Sequence, residues 1–184
     1  MQSKARFLGH PVHQMLIVFP LGLLATAVIF DLIHIVVESS VTATVAYWII
    51  AAGIIGGLIA APFGWIDWFY IPSGTRAKSV GLWHGLGNLI VVVLFVASWL
   101  LRRNNAGEPD MLALILSFSG AGLALVTGWL GGELVDRLGI GVYEGANINA
   151  PSSLSSQTPH ESRGYRPHGE NLIGMGNLTC SRRW

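Results

Sequence analysis

Four apolar runs, each about 20 residues long or longer, constrain this chain more than any other feature. They lie at roughly 13–37, 46–66, 83–101 and 111–135. Polar or turn-forming stretches close them: "ESSVTAT", "DWFYIPSGTRAKS" and "RRNNAGEPD". None carries the polar stripe that a helix on a soluble core needs. About 20 apolar residues cross the hydrocarbon of a bilayer as a helix, and a helix satisfies its own backbone there. Only 11% of the 184 residues are charged, against about a quarter in a soluble domain. The expected fold is therefore all-α, an integral membrane bundle of four transmembrane helices over residues 1–146.

The ends of the runs carry the amphipathic residues. Tyr47, Trp48, Trp65, Trp68, Trp83 and Trp99 stand near them, where indole and phenol rings favour the headgroup zone. Lys4, Arg6, Arg76, Lys78 and Arg137 fall on one side, against Arg102 and Arg103 on the other. That bias places both termini in the cytoplasm of a bacterial inner membrane protein. The first run follows Lys4 and Arg6 and contains Ala25-Thr26-Ala27. It continues about ten residues past that motif, which fits a retained span rather than a cleaved leader. From about Asn147 the sequence turns to Ser, Pro, Asn and Gly, so residues 147–184 are expected to form a disordered cytoplasmic tail.

Several chemistries have no support. The single cysteine, Cys180, excludes an internal disulfide and a Cys-built zinc site. A formal net charge of +1 gives no nucleic-acid footprint. GxSxG, P-loop and dinucleotide motifs are absent, so binding or electron transfer is expected before catalysis.

What remains is a set of polar residues at one end of the bundle. "GHPVHQM" puts His10 and His13 at the mouth of the first run. Asp67 closes the second, with Arg76 following it. His84 and Asn88 open the third, and Glu133, Asp136 and Arg137 close the fourth. All fall on the proposed cytoplasmic side. Pro11 suits the first helical position, and His10 and His13 share a face if that turn is helical. Glu133 and Arg137, four apart, can form an ion pair.

Three uses of this end stay open. Imidazoles from two facing helices grip haem iron with the porphyrin between them. His13 and His84 would then be axial ligands, with His10 and Asn88 near the ring edge. A bare transition metal could instead take His10, His13, His84 and Glu133. Spacing alone favours a hydrogen-bonded network that ties helix ends together without a cofactor. At the opposite end Asp31, His34 and Glu38 read as one interfacial, solvated face that could take a cation. Three glycine pairs, Gly53/Gly57, Gly81/Gly85 and Gly128/Gly132, suit close helix packing, and Gly81 and Gly85 would leave room beside His84 for a porphyrin.

"GHPVHQMLIVFPLGLL", "DWFYIPSGTRAKSVGLWHGLGN" and "GWLGGELVDRLGIGV" together resemble the bacterial domain of unknown function 2231 family, over roughly residues 8–143. The resemblance implies a four-helix inner-membrane protein. Relatives resembling fusions with Rieske or cytochrome c modules imply a redox setting, which raises the option of haem b as a cofactor and of redox partner proteins beside the lipid bilayer. His10 and His13 match the family's first-helix histidine motif. Asp67 matches its second-span exit, His84 its third-span histidine and Glu133 its "GGE" carboxylate. Val18 and Leu138 stand where many relatives have further histidines.

Overall fold

The four runs form helices long and apolar enough to cross a membrane, at Val12–Val37, Ser40–Tyr70, Arg76–Leu101 and Met111–Arg137. The computed structural model describes residues 1–155. The helices outrun the apolar stretches that mark them. Hydropathy reports the hydrocarbon, whereas backbone hydrogen bonding continues through the interface until a cap or turn stops it.

The chain opens with a small hairpin of β1 (Arg6–Phe7) and β2 (His10–Pro11). Its two-residue loop, Leu8 and Gly9, has φ of 49° and 87°; positive φ at both positions suits the right-handed twist of the two strands. Span one then splits into α1 (Val12–Leu16) and α2 (Val18–Val37). Pro20 is the cause, since it has no N–H for the carbonyl four residues back, that of Leu16. Spans two and three are the continuous helices α3 (Ser40–Tyr70) and α4 (Arg76–Leu101). Span four is α5 (Met111–Gly132), followed by a π-helical turn over Glu133–Arg137. Thr75 and Asp110 cap α4 and α5, accepting from the Lys78 and Ala113 amides at 3.2 and 2.8 Å. Such caps contribute about 1 kcal/mol each.

Neighbouring spans pack in a ring, one on two, two on three, three on four and four on one. Spans one and three are therefore diagonal. Leu24, Ala27, Ile50, Ile54, Val91 and Phe95 form the core between them. Gly53 lets α2 approach closely, because a Cβ there would lie 2.6 Å from Leu24 Cδ2. Ile55, Val93 and Leu125 point outward and are more than half exposed, as hydrocarbon-facing side chains should be.

Three expectations need correction. Asp31 is not part of a solvated face: it is fully buried, while Glu38 is exposed. The Asp31 carboxylate takes the Arg102 guanidinium end-on, Nη1 to Oδ1 at 2.5 Å and Nη2 to Oδ2 at 2.7 Å. Ser117 Oγ donates to Oδ2 at 2.8 Å, and Arg102 Nε donates to Ser98 Oγ at 3.2 Å. With Ser117 the pair joins three spans and neither of its charges is left alone, the condition under which ionised groups persist at membrane depth. His34 Nδ1 lies 2.9 Å from the Ser39 carbonyl, in the turn below. Secondly, Gly128 and Gly132 are exposed with nothing near a Cβ position, so they mediate no close approach among the described residues. Thirdly, Gly81 meets Trp68 and Gly85 meets Trp65, so neither leaves space beside His84. Most of the proposed tail, residues 156–184, lies outside the described residues, and 145–155 contain no helix or strand.

Candidate functional site

The first histidine of interest sits on α1, directly after the hairpin. His13 Nδ1 lies 3.0 Å from the Ala60 carbonyl of span two. One turn further along α3 is Gly64, where a Cβ would fall 2.8 Å from His13 Cε1. Only glycine lets the imidazole come this close to that helix. The carbonyl can only accept, so Nδ1 carries a proton, and in the neutral ring the lone pair is on Nε2. Among the described residues, Nε2 of His13 has no hydrogen-bond partner.

His84, in the third turn of α4, repeats the arrangement against span four. Its Nδ1 lies 2.8 Å from the Thr127 carbonyl. Gly131, one turn on, would place a Cβ 3.0 Å from His84 Cε1. Both imidazoles are thus seated by Nδ1 on a carbonyl of a neighbouring span. They differ at Nε2, which on His84 accepts from Asn88 Nδ2 at 3.3 Å. Asn88 is itself held, its Oδ1 accepting from Thr127 Oγ1 at 3.0 Å.

The other sequence candidates serve different purposes. His10 is exposed in β2, opposite Phe7. It precedes the helix, so it shares no helical face with His13, and Pro11 is the N-cap rather than the first helical residue. Asp67 anchors the N-terminal arm: Ser3 Oγ lies 2.7 and 2.8 Å from its oxygens, and the Lys4 amide donates at 2.8 Å. The Gly141 amide donates to the Met1 carbonyl at 2.9 Å, so the arm also meets the chain after span four. Glu133 pairs with Arg76 at 2.6 Å, not with Arg137, because the π-helical turn changes the spacing that would have aligned those two. A cavity of about 290 Å³ lined by Trp129, Glu133, Asp136 and Arg137 opens nearby.

The bare-metal set is therefore not assembled. Among the described residues no three His, Cys, Asp or Glu side chains converge on a point that could hold an ion. Sequence reasoning found His13, His84 and Asn88, but it missed their supports: the Ala60 and Thr127 carbonyls and the two glycines. The only signal for them was a glycine four residues after each carbonyl.

A family model described as a predicted membrane protein, DUF2231, matches residues 9–144. No curated protein and no solved structure matches the chain.

Proposed function

Because this chain belongs to the DUF2231 family of predicted membrane proteins, we propose that its role is played within the bilayer, as a carrier of electrons through haem b held between His13 and His84. One observation carries the reading. Each imidazole has its Nδ1 committed to a main-chain carbonyl of a neighbouring span, which fixes the tautomer and orients Nε2 as a donor. Histidines that ligate metals are held in this way by their other nitrogen. Two such donors from diagonal spans match the ligand demand of a bis-imidazole iron. When bound, haem supplies one-electron chemistry. The chain supplies two neutral ligands, orients them, and surrounds them with apolar helices. The Lys and Arg distribution puts this end on the cytoplasmic side, where redox proteins could exchange electrons with it.

The test is direct. Purify the full chain in mild detergent after expression with ample haem supply, then record its visible spectrum and its iron content. A Soret band, with sharp bands on reduction, is expected. Colourless, iron-free protein would overturn the reading.

A second reading rests on a different contact. Asn88 Nδ2 occupies the lone pair of His84 Nε2, and Thr127 holds Asn88. That half of the site is a closed network that needs no ligand. On this reading the protein is a cofactor-free membrane scaffold or partner-binding subunit, and iron-free protein would be its native state.

A further inference from the structure

The two histidines belong to a correspondence that runs the length of the bundle. His13 and His84 are 71 positions apart. The same step takes buried Leu24 to buried Phe95, Ala27 to Ser98, and Asp31 to Arg102. A step of 67 relates spans two and four. It takes buried Ala46 to Ala113 and Ile50 to Ser117, and Gly53 to Gly120 and Gly64 to Gly131.

Contacts repeat along with positions. Gly53 closes on Leu24, and Gly120 closes on Phe95. Gly64 closes on His13, and Gly131 on His84. Ala60 and Thr127, also 67 apart, supply the two carbonyls. The smaller second step means that the first hairpin carries four more residues across its tip than the second. Spans one and three run in the same direction, so the symmetry that relates the hairpins is a two-fold axis along the bundle.

Two equivalent groups can touch each other only where both lie against the axis. Asp31 touches Arg102, which fixes the axis at that end. His84 lies on the face of α4 that carries buried Val91, Phe95, Ser98 and then Arg102, at steps of three, four and seven, so His84 and its equivalent His13 turn toward the axis at the other end. The ion pair also makes the halves unlike. Two first hairpins paired together would bury two carboxylates, and two second hairpins two guanidinium groups; only unlike halves neutralise each other.

We propose that the chain is a tandem repeat of one helical hairpin, and that its histidine end is a single ligand site on the two-fold axis, shared equally by His13 and His84. This rests on the haem reading and narrows it. A ligand on the axis meets the same donor from either side, so it must offer two equivalent faces. A planar metal macrocycle would do so, held by His13 on one face and His84 on the other. Such a site passes electrons and has no open position for a gaseous ligand.

The experiment compares the full-length wild-type protein with His13→Ala and His84→Ala, each loaded with haem and followed by absorbance with and without carbon monoxide. Wild type should be low-spin in both oxidation states and take up no carbon monoxide within minutes. Each variant should become high-spin and bind carbon monoxide, to the same extent, and free imidazole should restore the low-spin spectrum in both. If an alanine variant is not monodisperse on size exclusion, the glutamine variant at that position takes its place. Wild-type haem that binds carbon monoxide readily, or one histidine variant that keeps the low-spin spectrum, would overturn the shared site and leave haem binding intact. Wild-type protein without haem would overturn both.

Discussion

Asp31 and Arg102 form a two-point ion pair in which neither side chain is reached by solvent. Deleting one partner leaves the other charged, buried and unanswered. Arg102→Ala should therefore lower stability by about 3–5 kcal/mol, read as a fall in melting temperature in detergent or as aggregation on size exclusion. The double variant Asp31→Leu/Arg102→Met should recover most of that loss. Ser98 still has the Ala113 carbonyl and Ser117 the Leu114 carbonyl to donate to, at 2.7 and 3.0 Å. A double variant as unstable as the single would show that the pair is not the source of the cost.

Glycines at the histidines should behave unlike glycines on the lipid face. A methyl at Gly64 meets His13 Cε1 at 2.8 Å, whereas one at Gly128 meets nothing. Gly64→Ala should cost about 1–3 kcal/mol by overpacking. Gly128→Ala should gain about 0.5–1 kcal/mol from helix propensity. Thermal unfolding of the two variants side by side decides it; equal shifts would refute the contact.

Asn88 distinguishes the two halves, since the position equivalent to it in span one is Ile17. Coordination at His84 would displace the Asn88 amide from Nε2, which it meets at 3.3 Å. Asn88→Ile should therefore raise haem affinity severalfold without altering the low-spin spectrum, as measured by haem titration of the apoprotein. Weaker binding would show that the amide supports the ligand rather than competing with it.

Orientation can be checked with reporters fused after Glu144. An enzyme active only in the cytoplasm should give signal there, and one active only outside should not. The reverse pattern would move the histidines to the outer face.

The arm over the histidine end hangs on Asp67. Asp67→Ala removes the acceptor for Ser3 Oγ and for the Lys4 amide. Trypsin cleavage at Lys4 and Arg6 should then be at least severalfold faster while the spans stay protected. Unchanged cleavage would mean that β1 and β2 hold the arm alone.

The spans were legible because hydropathy needs no knowledge of tertiary contacts, and His13, His84 and Asn88 because polar residues at span ends are few. Other features depend on partners far away in sequence. Nothing local to Asp31 marks it as buried; its partner is Arg102, and both look like ordinary interfacial charges. Glu133 was read against Arg137 by α-helical spacing, and a π-helical turn breaks that spacing. His10 shares a face with His13 only if the first helical turn includes it, and α1 begins two residues later. Gly64 and Gly131 were hidden among 23 glycines, visible only once the two hairpins were laid over one another.

The break that Pro20 puts into span one gives the histidine end the character of a vice with unlike jaws. His84 rides on a continuous helix of 26 residues, and its place is dictated by the whole of that helix. His13 rides on five residues with the arm on one side and the interruption on the other. Equal in chemistry, the two donors are unequal in compliance. Any change in the spacing between them would fall to α1, which is separated by the interruption from the Leu24 packing deeper in the same span.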